Sequence, residues 1–500
     1  MQGHRTITHD IHFEVCLPLA GWTQRLLQTG CGGLCGNLQI HFDDAEGCTP
    51  VTDGGIVLAS DDMGHHGMGG GWGANADQRI DFAYRGNHVT ALAAKALIKT
   101  FYGRPQRYAY FSDCSDGGRE ALIEAQRYLE DFDGIAAGAP ALNFTVQNPF
   151  CHGWLARVNS GADGHAILSA IDIKPLHAAV LAACDGQDGL VDGQIIDPRT
   201  CHFDPAVLAC HGDYRPGECL TALQIATVRA IYDGARSPSG KRLEVGPLQP
   251  GSESEWIGVF VPREKIGRIG SEGMALDTIN NLLFSPNRSY TIAGFPFTED
   301  MLASAEPART LYNADGPDLD ACAGHGDKLI LYHGWPDPHI SPLNTIDYYE
   351  RVGQKLGIAT RDGFDCMFLL PSMGHCGGDN GPSAFPLLFG LRAWVEGGSV
   401  PAVFVAHRVA PKPMTPPPGA GRNGPPHAAG DHDGPPPEMI AEMRAHEAEI
   451  AKLGARSRPV FAYPAIAQYT GSGPVDDAGS VRAVTPTPVS GISDWVGARP

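Results

Sequence analysis

Apolar positions fall into short runs separated by helical patterns over the first 140 residues, and the same rhythm returns from residue 328 onward. Residues 11–18 and 25–29 read as strands at the edge of a sheet, followed by the glycine-rich turn CGGLCGN; residues 55–60 give a third strand. Residues 79–102 place Phe82, Val89, Leu92, Ala93 and Leu97 at helical spacing, and Gly103-Arg104-Pro105 stops that helix. A strand at 108–111, a small-residue turn, a helix to about 129 and a buried strand at 132–140 follow. Alternation with short connections predicts a mostly parallel α/β sheet. Between 141 and about 322 the alternation gives way to cysteine-bounded loops and helical fragments. It resumes with a strand at 328–334, a helix at 343–356, a strand at 366–371 and a helix at 383–395. The expected architecture is therefore a discontinuous α/β domain, 1–140 and 323–500, with an inserted domain at 141–322 placed where a lid would sit. Residues 411–457 are rich in Pro, Gly and His and read as a linker-like insertion. One amphipathic helix interrupts it at 438–453, with Met439, Met443, Ile450 and Leu453 on one stripe.

Size and composition narrow the partners. Five hundred residues exceed one ordinary domain and suffice for a large core. A net charge of -19 argues against nucleic acid or an anionic membrane, each of which needs a basic face. No run approaches the apolar length of a membrane span, and the first residues lack the regions of a signal peptide. The thirteen cysteines contain no C-x-x-C zinc arrangement. Cys184 with Cys201, and Cys210 with Cys219, enclose short polar loops in the manner of disulfide staples, which favours an oxidising compartment. Buried free thiols are the alternative. The expectation is a secreted or periplasmic protein whose export signal is not in this chain.

Chemistry concentrates at DCSDGGRE, residues 113–120, where an apolar run meets a helix through small residues. Ser115 at such a bend has the setting of a nucleophile elbow, with the backbone N–H of Asp116 facing a developing oxyanion. Asp113 breaks the G-x-S-x-G form, and a helix-capping serine is the competing reading. The glycine-rich loop DDMGHHGMGGGWG, residues 61–73, follows an early strand, and Gly64 is the candidate second oxyanion donor. A surface loop or a His65/His66 metal patch would also suit it. A serine nucleophile needs a base and the base needs an acid. Asp337 follows the strand ending near Tyr332, and His375 follows the one ending at Pro371; the order Ser115, Asp337, His375 is that of the α/β-hydrolases. Cys114 and Cys376 adjoin the serine and the histidine, so a bridge between them would clamp Ser115 beside His375.

With these elements in place the sequence resembles the tannase/feruloyl esterase family. Cys114-Ser115, Asp337 and His375-Cys376 match its catalytic motif, and GGREAL, LILYHGWPDP, DMGH at 62–65 and YTGSG at 469–473 extend the match. The resemblance implies an α/β-hydrolase with a lid that cleaves galloyl, feruloyl or related aromatic esters, or a terephthalate monoester. It implies Ser115 as nucleophile, His375 as general base and acid, Asp337 as its orienting partner, and Asp116 and Gly64 as oxyanion donors. It also implies structural calcium in the lid. Asp185, Asp188 and Asp192 crowd one loop between Cys184 and Cys201, where hard oxygen ligands suit that ion, and the carbonyls of Leu190 and Gln194 would complete the shell. The spacing is not that of an EF-hand, and a solvated acidic loop is the alternative. Departures are Asp113 in place of a glycine, Phe461 in place of a cysteine, no cysteine after Cys376, and the 411–457 insertion. The expected partner is a small aromatic ester, cleaved through an acyl-enzyme. Trp256, Phe260, Phe284, Phe295 and Phe297 are the aromatic candidates for the acid pocket. Nothing in the sequence chooses among feruloyl, galloyl and terephthaloyl groups. A non-catalytic calcium-dependent binding protein on the same frame is the rival class.

Overall fold

The computed structural model describes residues 10–38, 40, 54–377, 381–408, 456–488 and 494–498. Seven strands form one sheet: β1 (Phe13–Cys16), β2 (Arg25–Gln28), β3 (Val57–Asp61), β4 (Tyr108–Cys114), β5 (Gly134–Gly138), β6 (Lys328–Gly334) and β7 (Asp365–Leu370). Their order across the sheet is β1-β3-β2-β4-β5-β6-β7, with only β1 antiparallel to its neighbour. Strands buried on both faces need apolar or small residues throughout, and β5 (GIAAG) and β6 (KLILYHG) have them. Helices α1 (Gly86–Tyr102) and α2 (Asp116–Arg127) pack on the sheet after β3 and β4. The turn Asp81–Arg85 is wider than α-helical, so the helix expected at 79–102 is continuous only from Gly86.

Between β5 and β6 the chain builds the insertion around α3 (Ala170–Cys184), α4 (Ala222–Asp233) and α5 (Gly270–Asn281). Ser169 with Asp172 and Thr221 with Gln224 form capping boxes that start α3 and α4. Apart from a small cluster of its own at Val180, Cys184, Ile195 and Cys201, its apolar residues share the core of the sheet. Trp256, Phe260 and Ile279 belong to the same buried cluster as Leu26, Phe111 and Leu331 of the sheet. After β6, α6 (Leu343–Leu356) follows on the chain; α7 (Leu387–Gly397) covers the opposite face, where Tyr110, Ile330, Phe368, Leu391 and Trp394 make a second apolar layer.

Short strands also close the C-terminal part. β8 (Val403–His407) pairs antiparallel with β9 (Ser457–Phe461), and β10 (Ile466–Tyr469) pairs with β11 (Val481–Val484). Phe461, at the position of the missing cysteine, is the β9 partner of Val403. The helix expected at 438–453 lies outside the described residues. Among the described residues no helix is long and apolar enough to cross a membrane.

One side chain ties the insertion to the body. The buried guanidinium of Arg79 donates to the carbonyls of Gly73 (2.5 Å), Asn281 (2.7 Å), Leu282 (2.9 Å) and Phe284 (2.7 Å) and to Asn287 Oδ1 (2.6 Å). Arg79→Ala leaves these acceptors buried without donors, and bonds from a charged donor contribute about 1.5–3 kcal/mol each. A loss of about 3 kcal/mol or more is expected in denaturant unfolding, and an unchanged midpoint would show that apolar packing alone holds the insertion.

Candidate active site

Ser115 sits at the end of β4 with φ 67 and ψ -123, a left-handed conformation that costs a non-glycine residue about 1–3 kcal/mol. Hydrogen bonds over-determine it: its N–H donates to Gly138 O (2.9 Å), and its carbonyl accepts from Arg119 (3.1 Å) and Ala141 (2.9 Å). Helix α2 then runs close under β5. A Cβ at Gly118 would strike Gly138 O, and one at Gly117 would lie 2.5 Å from Asp113 Cγ. Asp113 is thus accommodated by the bare Gly117, and the sharp turn survives the departure from the glycine pattern. Arg119, fully buried, pairs with Asp116 through two bonds (2.7 and 2.8 Å) and lies over the Phe82 ring. Glu120 accepts from the N–H of Cys31 (3.2 Å) and from Asn87 (2.8 Å), which fixes the turn after β2 against the start of α2.

His375 reaches Ser115 from the loop after β7. Ser115 Oγ donates to His375 Nε2 (2.8 Å), and His375 Nδ1 donates to Asp337 Oδ2 (2.8 Å). Asp337 is wholly buried, and three further donors meet it: His333 Nε2 (3.1 Å) and the N–H groups of His339 (2.8 Å) and Ile340 (3.0 Å). Burial alone would raise its carboxyl; the charge of His375 and the bonds from His333 and His375 outweigh that and hold it well below the usual range. The Cys114–Cys376 bridge, with Cα atoms 5.8 Å apart, joins the residue before the serine to the residue after the histidine. Cys184–Cys201 and Cys210–Cys219 are also bridged, as is Cys31–Cys35 in the turn after β2.

A cavity of about 340 Å³ opens at Ser115 and His375. Its apolar lining includes Leu34, Met68, Phe144, Met274 and Ile340, and its polar lining Gln147, Asn148, His152, Asp277 and His339. The π-helical turn Gln147–His152 of the insertion presents three of these. None of Trp256, Phe260, Phe284, Phe295 and Phe297 lines it; they pack inside the insertion. The His339 ring lies between those of His375 (4.7 Å between centroids) and His152 (5.4 Å), tilted to both. Burial, then the charge of His375, pushes His339 down to about 4, so it is neutral at pH 7. Sequence reading missed these groups, whose only local signal is polar residues in an apolar-flanked turn.

Asp116 lines the cavity as the first residue of α2, where its N–H has no intrahelical acceptor. Gly64 does not line it. Its N–H donates to Asp62 Oδ1 (3.0 Å), which corrects its expected place beside the oxyanion. The reason is sheet order: β3 is one strand removed from β4, so the loop beside the serine is the one after β2, and there Gly33 and Leu34 face the cavity.

The acidic loop lies apart from these residues. Asp185 is buried, with its carboxylate accepting from the N–H groups of Asp192 (3.2 Å), Gly193 (2.9 Å) and Gln194 (3.3 Å). Asp188 accepts from the N–H of Leu190 (2.9 Å). Asp192 Oδ2 pairs with Arg458, but Oδ1 is buried without a partner. Burial, then the charges of Asp192 and Asp185, pushes the Asp188 carboxyl up to about 6. An orphaned buried oxygen among mutually repelling carboxylates fits a hard cation.

A parallel sheet that presents a serine, an aspartate and a histidine, in that chain order, at three strand ends defines an α/β-hydrolase. The family model described as tannase and feruloyl esterase matches residues 3–484. A probable feruloyl esterase B-2 of Aspergillus flavus is 31% identical over 412 residues, 78% of this chain and 75% of that protein. The mono(2-hydroxyethyl) terephthalate hydrolase of Piscinibacter sakaiensis is 28% identical over 535 residues, 96% of this chain and 82% of that one. The crystal structure of feruloyl esterase B from Aspergillus oryzae superposes with a TM-score of 0.76 at 25% identity, covering 96% of this chain and 88% of that chain. The chain belongs to the tannase and feruloyl esterase family and is a carboxylic ester hydrolase, which sets aside a non-catalytic binding protein.

Asp337→Asn keeps the shape of the buried carboxyl but removes the acceptor that selects the His375 tautomer. We expect kcat to fall about 10³–10⁴-fold with KM little changed. Because folding depresses this carboxyl, its stabilising contribution is present above the ordinary carboxylate range, about pH 4, and is lost on acidification. The variant should therefore lose that part of its acid sensitivity in melting curves taken across pH 3 to 7. A variant turning over at the parental rate would show that Asp337 does not orient His375 for the reaction.

Proposed function

We propose that this enzyme hydrolyses esters of phenolic aromatic acids through an acyl-enzyme. The observation that carries the reading is the unbroken chain of 2.8 Å contacts from Ser115 through His375 to Asp337 at the mouth of the cavity. As Ser115 Oγ attacks the ester carbonyl, His375 Nε2 takes its proton, and Asp337 stabilises the imidazolium. The tetrahedral oxyanion is met by the N–H of Asp116 and by the turn at Gly33 and Leu34, held in place by the Cys31–Cys35 bridge and by Glu120. His375 then gives the proton to the departing alkoxide. Water, activated by the same histidine, releases the acid. Labelling by a fluorophosphonate probe, together with its loss and the loss of turnover in a folded Ser115→Ala variant, is the test; a folded variant with parental turnover on every ester would refute the mechanism.

The cavity favours a neutral phenolic acid over a terephthalate monoester. Its volume suits one aromatic ring with a short chain. Among the described residues its lining holds no Lys or Arg, while Asp277 is there to accept from an aromatic hydroxyl. A second carboxylate on the substrate would meet Asp277 without a cation to offset it. We expect kcat/KM for methyl ferulate or methyl gallate to exceed that for mono(2-hydroxyethyl) terephthalate at least about tenfold, the weight of one charged hydrogen bond. Asp277→Asn should narrow the gap. Faster cleavage of the terephthalate ester by the parent enzyme would reverse the assignment.

We also propose that Asp185, Asp188 and Asp192, with the carbonyls of Leu190 and Gln194, hold a structural calcium ion. Bound there, it supplies charge compensation to the insertion and no chemistry to the ester. Chelation should lower the melting temperature by linkage while a folded fraction keeps turnover on a small ester; no bound calcium and an unchanged melting curve would leave a solvated acidic turn. The four bridges suit an enzyme of an oxidising, extracytoplasmic setting.

A further inference from the structure

The loop Asp62–Met68 carries a second cluster that the ester chemistry does not use. Asp62 is buried, and its Oδ1 accepts from the N–H groups of His12 (3.0 Å) and Gly64 (3.0 Å). Its Oδ2 faces two imidazoles, His12 Nδ1 at 2.7 Å and His66 Nδ1 at 3.7 Å. The His12 and His66 rings stack with centroids 5.2 Å apart, and both are solvent-exposed, while neighbouring His65 turns inward against Trp72. The three ligand atoms lie within 4.8 Å of one another.

We propose that His12, Asp62 and His66 form a binding site for a first-row divalent cation such as zinc, with water in the open positions. Two imidazole nitrogens and one carboxylate oxygen suit that class, whereas calcium and magnesium take oxygen. A tetrahedral ion at about 2.0–2.1 Å from each ligand separates ligand atoms by about 3.3 Å. His12 Nδ1 has to withdraw slightly from the carboxylate and His66 Nδ1 to approach it, and both rings are exposed enough to swing. The carboxylate need not move, because two backbone donors fix its other oxygen.

The site couples to the turn beside Ser115. His65 Nε2 donates to Leu34 O (3.0 Å), and Gly67 and Gly36 exchange N–H···O bonds (2.7 and 3.2 Å). A cation gripping His66 therefore stiffens the strip of backbone on which Leu34 rests. Zinc alone, titrated into calcium-saturated enzyme at neutral pH, is the probe. The parent should bind one equivalent more than the variants, with affinity at that site at least about tenfold above His66→Ala and His12→Ala, the smallest effect usual for disturbing a metal site. Zinc should raise the melting temperature of the parent and change its kcat on a small ester, with neither effect in His66→Ala, whose zinc-free activity stays at the parental level. Equal zinc binding by parent and variants, or none by the parent, would reduce the cluster to an Asp–His hydrogen bond anchoring β1. Zinc binding without any change in kcat would overturn the coupling to Leu34.

Discussion

A carboxylate shut away from water and met by four donors is the constraint on which the site depends. An unpaired charge at such depth would be expelled by folding; a saturated one becomes a rigid reference point. Asp337 fixes the His375 ring through Nδ1, leaving Nε2 as the acceptor toward Ser115. It also fixes the backbone at His339 and Ile340, and so two walls of the cavity. His333, held by Thr345 Oγ1 (2.7 Å), is in turn oriented to donate to it.

The serine side is rigid for a different reason. There the backbone is strained, and the strain persists because α2 is locked from three directions: glycines against β5, Arg119 against the segment at Phe82 and Ala83, and Glu120 against the turn at Cys31. The GGRE segment thus acts as one mechanical unit whose residues each secure a different neighbour. The Cys114–Cys376 bridge then joins the strained half to the saturated half across two intervening strands.

Much of this was legible in the chain. The strands β2, β4, β6 and β7 announced themselves as apolar runs, and Ser115, Asp337 and His375 could be placed at strand ends because a parallel sheet sends its loops to one edge. What local pattern does not encode is the lateral order of parallel strands. The loop of Gly64 follows an early strand, as an oxyanion loop does, yet β2, not β3, lies beside β4. The short strands β8 and β9 were hidden by half-exposed alternation and by Pro459. The cavity's polar residues come from a turn whose fit against Asp337 is set by contacts nearly two hundred positions apart, as Gln147 to His339 illustrates.

The β8–β9 ladder bears on how this chain could vary. His407 and Ser457 are direct partners, and just past β9 Tyr463 is tied to β7 through the carbonyl of Met367 (2.7 Å). The two ends of the long segment between them therefore meet at one point of the surface, like the base of a stem. Closing a chain between fixed neighbours costs only about 0.6 kcal/mol more for each doubling of its length. The ladder therefore fixes where the chain leaves β8 and where it re-enters β9, whatever length of chain connects the two.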